Sequence, residues 1–271
     1  MQETITLNNG INMPRLGLGV YKATSDGEVQ NAIKDAVSIG YRLIDTASFY
    51  KNEEGVGEGI RKCGIPRKEL FVTTKVWNNA QRLGDVENAF NRSLDRLGLD
   101  YIDLYMVHWP VPGCSIETWK VMENIYRSGR ARAIGVANYN EIQLTELMEH
   151  CDIVPAVNQI EYHPLCNPEG LRHFCQTSGI VVQAYAPLAR GAYLDRQIIK
   201  NLAEKYNRSS SQIGLRWLLQ KGICPIPKSV HTERILSNSQ IFDFELDEAE
   251  METLDQLNEN YHASSVPEDL R

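Results

Sequence analysis

LFVTTKVWNNAQRLGDVENAFNRSLDRLGLDYIDLYMVH, residues 70–108, holds one unit of the pattern that decides the architecture. Its ends, Leu70–Val76 and Ile102–Val107, are nearly continuous apolar runs, as expected of parallel strands covered on both faces. Between them Val86, Ala89, Phe90, Leu94 and Leu97 recur at helical spacing and stop at Gly98. That is the apolar stripe of an amphipathic helix, ended by a residue free to take the left-handed turn.

The unit recurs along the chain. Further apolar runs at Leu16–Val20, Tyr41–Ile44, Ala133–Val136, Val154–Ile160, Ile180–Tyr185 and Ile223–Ile226 bring the strands to eight. Val29, Ala32, Ile33, Ala36 and Val37 form a second helical stripe that stops at Gly40. Ser115 is expected to cap a helix carrying Trp119, Met122 and Tyr126, and Asn167-Pro168 to open one carrying Leu171, Phe174 and Cys175. Residues 209–222 read as a helix, and Asp247 to Glu250 as a capping-box start. Ahead of all this, Asn9-Gly10 between two alternating stretches predicts a hairpin that covers something larger.

No Pro/Gly/Ser-rich linker divides the chain. The alternation therefore predicts an α/β protein, a single (β/α)8 barrel domain over residues 1–271 with an N-terminal β-hairpin and extra C-terminal helices. A doubly wound dinucleotide-binding sheet is the competing architecture. Its nearest fingerprint, Gly55, Gly57 and Gly59, lacks the required third spacing and follows KNEE instead of a strand, so these glycines read as a helix start or a packing site.

The 271 residues carry 28 Lys+Arg against 35 Asp+Glu, a net charge of −7, with 42% hydrophobic residues. That composition excludes disorder as the main state and offers no basic surface for nucleic acid or an anionic membrane. No apolar run is long enough to span a bilayer, and the first residues lack the pattern of a signal peptide, so a cytoplasmic protein is expected. The six cysteines form no C-x-x-C pair and read as reduced thiols. His163, Cys166, His173 and Cys175 are close in sequence, but their spacing fits no compact zinc site, and no metal is expected.

In a parallel barrel the chemistry sits at the carboxyl ends of the strands. There the runs end in or lead to Asp45, Lys75, His108, Asn138, Gln159, Tyr185, and Lys228 with Ser229. A single polar strand end means only that the chain is reaching solvent; so diverse a set at one rim predicts a site. Tyr50 lies just beyond Asp45. Lys75 beside its phenol is expected to favour the phenolate and lower the tyrosine's pKa, while Asp45 holds the lysine by a charge-assisted hydrogen bond. Together with His108 these residues would form a proton donor for a developing alkoxide. An ordinary ion pair closing the barrel would explain Asp45 and Lys75 alone.

GYRLIDTASFYKNEEGVG (40–57), VTTKVWN (72–78), DLYMVHWP (103–110), AIGVANY (133–139), NQIEYHP (158–164) and PIPKSVHTERILSN (225–238) resemble the aldo-keto reductase superfamily, in its microbial branch of NADPH-dependent aldehyde and ketone reductases. The resemblance covers nearly the whole chain. It implies a barrel that binds NADP(H), a small-molecule carbonyl substrate, and a monomer. It places Asp45, Tyr50, Lys75 and His108 on the catalytic tetrad, with Tyr50 the general acid and His108 orienting the carbonyl. It puts the nicotinamide carboxamide near Asn138 and Gln159, Tyr185 stacked on the ring, and Leu188 along the pyrophosphate. Lys228, Ser229 and Arg234 fall on the positions that meet the adenosine 2′-phosphate, and Asn238 on the adenine position.

Ala137 and Ala186 stand where many members carry Ser, and Ser237 and His231 also depart from the pattern. The substrate pocket is expected to be lined by Tyr21, Phe49, Trp77, His108 and Trp109, an aromatic set suited to apolar or planar carbonyls. The C-terminal tail YHASSVPEDLR is short, so a specificity loop there is expected to be reduced. The alternative reading is a non-catalytic NADP-binding regulatory protein on the same fold. It would tolerate the loss of Tyr50, and a complete tetrad argues against it.

Overall fold

A computed structural model describes residues 3–270. The expected domain and tail include Met1, Gln2 and Arg271, which lie outside the described residues. Two short strands, β1 (Thr4–Thr6) and β2 (Asn12–Pro14), pair antiparallel around the Asn9-Gly10 turn, where Gly10 takes φ 83°. Eight parallel strands follow in chain order: β3 (Gly17–Gly19), β4 (Leu43–Asp45), β5 (Phe71–Val76), β6 (Ile102–Val107), β7 (Ala131–Ala137), β8 (Val157–Glu161), β9 (Val181–Tyr185) and β10 (Cys224–Pro225). The Gly19 amide donates to the Pro227 carbonyl at 3.2 Å and Gly19 bridges to Lys228, which joins the last strand to the first and closes the barrel.

The helices are α1 (Glu28–Ile39), α2 (Glu53–Lys62), α3 (Asn78–Arg82), α4 (Val86–Leu97), α5 (Ser115–Arg127), α6 (Glu141–His150), α7 (Glu169–Thr177), α8 (Gln197–Tyr206), α9 (Ser210–Gln220), α10 (Thr232–Ser239) and α11 (Glu248–Asp255). The apolar stripe of α1 is buried, as are Val86, Phe90 and Leu97 of α4 with Ala89 and Leu94 half-buried beside them, and Gly40 and Gly98 follow the helix ends at positive φ. Ser209 and Asp247 cap α9 and α11 through reciprocal bonds with Gln212 and Glu250. Ser115 is not the cap of α5: the helix begins at Ser115 itself after Cys114, and the serine hydroxyl instead accepts a hydrogen bond from the Tyr139 hydroxyl at 3.1 Å. Helix α6 escaped the periodicity reading because its buried residues are only Leu144 and Leu147, too few to mark a stripe.

The three close glycines are packing residues on α2. A methyl group at Gly57 would lie 2.0 Å from the Leu97 carbonyl oxygen at the end of α4, and those at Gly55 and Gly59 would press on α1. Backbone cannot yield as a flexible side chain can. Gly57→Ala is therefore expected to cost about 3 kcal/mol in urea-induced unfolding, at the upper end of overpacking penalties; a loss under about 0.5 kcal/mol would mean that α2 and α4 separate freely.

Strand side chains alternate between two faces, and this sorts the barrel's interior into levels. Leu43, Leu104, Met106, Ala133, Val157 and Ile226 form one buried apolar cluster with Leu7 and Met13 of the hairpin segment, which plugs the amino-terminal end. Asn8 and Asn9 fasten that plug through hydrogen bonds to the carbonyls of Pro155 and Arg132. Two residues beyond Leu43 along β4 is Asp45; two beyond Met106 is His108; two beyond Val157 is Gln159. The interior thus passes from a dry floor to a polar mouth within a few residues of each strand.

Candidate active site

The mouth holds a cavity of about 540 Å³. Asp45, Tyr50, His108, Asn138, Gln159, Tyr185, Leu188 and Lys228 line it, together with the aromatic residues Tyr21, Phe49, Trp77 and Trp109. Lys75 sits behind this wall, fully buried, with its ammonium 2.7 and 2.9 Å from the two Asp45 oxygens and 2.9 Å from the Thr46 carbonyl. Ser229, Arg234 and Asn238 lie outside the lining. The Ser229 hydroxyl accepts from the His231 amide ahead of α10, Arg234 is exposed on that helix, and Asn238 is buried in it.

The Tyr50 ring is packed 4.9 Å from Tyr21 and 5.7 Å from His108, with the Lys75 ammonium 5.2 Å from its centroid. Among the described residues its hydroxyl has no hydrogen-bond partner, and the residue lines the cavity. Burial pushes the Tyr50 phenol well above its ordinary value of 10, and the Asp45 carboxylate adds to the rise. The lowering expected from Lys75 is outweighed: burial and Asp45 set the net direction, although the lysine charge beneath the ring still favours the phenolate. The lysine's three contacts go to Asp45 and Thr46, and burial pulls the ammonium itself below 10.5 against the pull of Asp45. The phenol keeps its proton.

His108 is buried, and desolvation, reinforced by Lys75, holds it well below 6.5. The ring is neutral at physiological pH. Its Nδ1 is buried without a partner, so the cheaper tautomer keeps Nδ1 as an unprotonated lone pair and places the proton on Nε2. Phe49 and Trp77 stack at 3.9 Å, and Trp77 meets the imidazole edge-on at 5.0 Å, which fixes the ring plane.

Asn138 occupies the left-handed region at φ 64°, which asparagine tolerates better than branched residues. Its amide donates to the His108 carbonyl and its oxygen accepts from the Tyr185 hydroxyl, both at 2.9 Å. Gln159 spends both N–H groups inside the protein, on Asp45 at 2.8 Å and Gln183 at 2.7 Å. What Gln159 has left for the cavity is its carbonyl oxygen. These open groups fit a carboxamide: a free acceptor on Gln159 and one uncommitted N–H on Asn138.

Sequence reading missed part of the wall. Lys22 and Arg190 put exposed cations on the rim, Arg190 two residues beyond Leu188 and with φ 51°. The C-terminal tail, short as its sequence shows, reaches the cavity with Ser264, Ser265 and Pro267. It is tied at both ends. The Ala263 amide donates to Glu161 at 2.7 Å, and Asp269 pairs with Arg82 at 2.6 Å while accepting from Asn78. Nothing in the tail is periodic, so only the three-dimensional path exposes its position. Among the described residues no group of three His, Cys, Asp or Glu is arranged to hold a metal, and no helix is long and apolar enough to cross a membrane.

A protonated acid and a neutral imidazole turned on one cavity suit the protonation of an oxygen, and they stand at the carboxyl face of a β/α barrel, where such enzymes keep their chemistry. The chain belongs to the aldo/keto reductase family, whose model matches residues 15–259. It is 45% identical over 270 residues to glyoxal reductase of Bacillus subtilis (strain 168), covering 100% of this chain and 98% of the relative. It is 41% identical over 268 residues to methylglyoxal reductase DkgA of Escherichia coli (strain K12), covering 97% and 96%. Among solved structures, a Bombyx mori aldo-keto reductase in complex with NADP superposes with a TM-score of 0.92 at 39% identity, covering 98% of this chain and 96% of that one.

Proposed function

We propose that this enzyme reduces small aldehydes and ketones, short 2-oxoaldehydes among them, at the mouth of the barrel, with Tyr50 as the acid. The observation that carries this is the Tyr50 hydroxyl, unpartnered in an aromatic cavity with its ring 5.7 Å from that of His108, where burial favours the neutral form of both groups. NADPH, when bound, supplies the hydride. The chain's own residues do the rest. His108 donates from Nε2 to the carbonyl oxygen and orients it, and Tyr50 gives that oxygen its proton as negative charge develops. Asp45 fixes Lys75, whose charge beneath the ring steadies the phenolate left behind.

Asn138, Gln159 and Tyr185 would hold the nicotinamide, Leu188 would flank the pyrophosphate, and Asn238 would face the adenine. Lys228, Ser229 and Arg234 would meet the 2′-phosphate. The names of the two bacterial relatives favour dicarbonyl substrates, and the stacked Phe49 and Trp77 favour planar ones. Six free cysteines suit a reducing compartment, and we place the protein in the cytoplasm as a monomer. A panel of 2-oxoaldehydes, simple aldehydes, ketosugars and quinones, followed by NADPH absorbance, tests the reading. Turnover of none of them would overturn it.

Arg234 tests the cofactor side. A charge-assisted contact to a phosphate contributes about 1.5–3 kcal/mol, so Arg234→Ala is expected to weaken NADPH binding roughly ten-fold or more and leave NADH nearly unchanged. Fluorescence titration with both dinucleotides decides it. Equal losses for the two would assign Arg234 to the fold or to the adenine.

A further inference from the structure

Gln183 is a fully buried amide in the barrel's interior, two residues below Tyr185 on β9 and beside Gln159, its register partner on β8. Glutamine is a poor choice for such a place unless its amide is used. Its oxygen accepts from Gln159 at 2.7 Å, while its own nitrogen finds only the Met13 sulfur at 4.0 Å, a weak partner. The strong bond is the one to Gln159, and it comes from the acceptor.

Gln159 has two N–H groups and one oxygen. With one N–H on Asp45 and the other on Gln183, the amide is locked at both donors, and the orientation that remains turns its oxygen to the cavity. Asp45 alone does not lock it, because the same carboxylate oxygen also accepts from Lys75. We propose that Gln183 is a positioning residue for the cofactor: by accepting the second Gln159 N–H it holds the Gln159 oxygen in place to receive the N–H of a carboxamide. This rests on the proposed reading that the nicotinamide lies at Gln159. It also gives Asp45 a second task, since the carboxylate that pins the proton machinery's lysine pins the cofactor's seat.

Two variants and two ligands test it. Gln183→Met keeps the length but cannot accept the bond, and Gln183→Glu keeps an acceptor at the same reach. In titrations, NADPH affinity of Gln183→Met is expected to fall about five-fold or more, the worth of one hydrogen bond, while Gln183→Glu stays within about two-fold of wild type. Adenosine 2′,5′-bisphosphate, which lacks the nicotinamide, should bind wild type and both variants alike. On wild type, the analogue carrying an acetyl group in place of the carboxamide should bind more weakly than NADPH, and on Gln183→Met the two should be nearly equal.

Equal losses for NADPH and the bisphosphate would overturn the proposal and make Gln183 a structural residue. So would unchanged NADPH binding in Gln183→Met, or a Gln183→Glu protein that behaves like Gln183→Met. If Gln183→Met does not fold, the comparison of Gln183→Glu with wild type on NADPH and the acetyl analogue still decides, because a lost discrimination in a variant that retains the acceptor contradicts the role. Failure of wild type to bind NADPH at all would instead overturn the cofactor reading on which the proposal stands.

Discussion

Tyr50→Phe is expected to lower kcat for carbonyl reduction by roughly 100- to 10,000-fold, the range supplied by a positioned general acid, while NADPH affinity stays within about two-fold of wild type. The substitution removes one oxygen and keeps the ring, so the contacts with Tyr21 and His108 survive. The wild-type pH profile carries the same argument. An acid works only while protonated, and a pKa raised above 10 extends its working range upward; His108, held below 6.5, is already neutral. Reduction should accordingly be flat between about pH 7 and pH 9, with any decline appearing only on the alkaline side. A falling limb centred near neutrality, or a Tyr50→Phe enzyme with near-normal turnover, would remove Tyr50 from the role.

The second large effect is on the charge pair. Lys75→Met leaves the Asp45 carboxylate buried with Gln159 as its remaining hydrogen-bond donor. Breaking a buried pair from one side costs about 3–5 kcal/mol, which in a protein of this size lowers Tm by roughly 10 °C. Activity should fall at least 100-fold as well, because the phenolate loses its nearest cation. The two losses separate in a double variant. Asp45→Asn on the Lys75→Met background removes the stranded charge and keeps an acceptor for Gln159, so calorimetry should show most of the stability regained while turnover remains absent. Recovery of both together would mean that the pair serves only to hold the barrel.

Asp45, Lys75, His108, Asn138, Gln159 and Tyr185 were legible because each lies at or near the end of a conspicuous apolar run, and a parallel barrel gathers such ends at or just behind one rim. The helices α1 and α4 were legible for the same local reason: a stripe and a terminal glycine lie within a dozen residues. The protonation state of Tyr50 was not. It depends on how much water the surrounding elements exclude, and nothing in its neighbours along the chain records that. Gln183 carried a readable signal, two residues from Tyr185 on the same strand face, but it was hidden inside an apolar run read only as a strand. The tail's place at the cavity was not legible, because the sequence shows its length and not its path.

The barrel is fastened where it is thinnest. Its last strand has two residues, and its bond to the first runs through Gly19 to Pro227 and Lys228, where a methyl group on Gly19 would lie 2.8 Å from the Ile226 carbonyl. Lys228 is therefore both a rim residue and the last stitch of that join. A molecule that grips Lys228 on one side and Asn138 on the other reaches across from the end of the sheet to its middle, and works as a brace over the join. On this geometry a ligand held at both points would tighten the join as it fills the cavity.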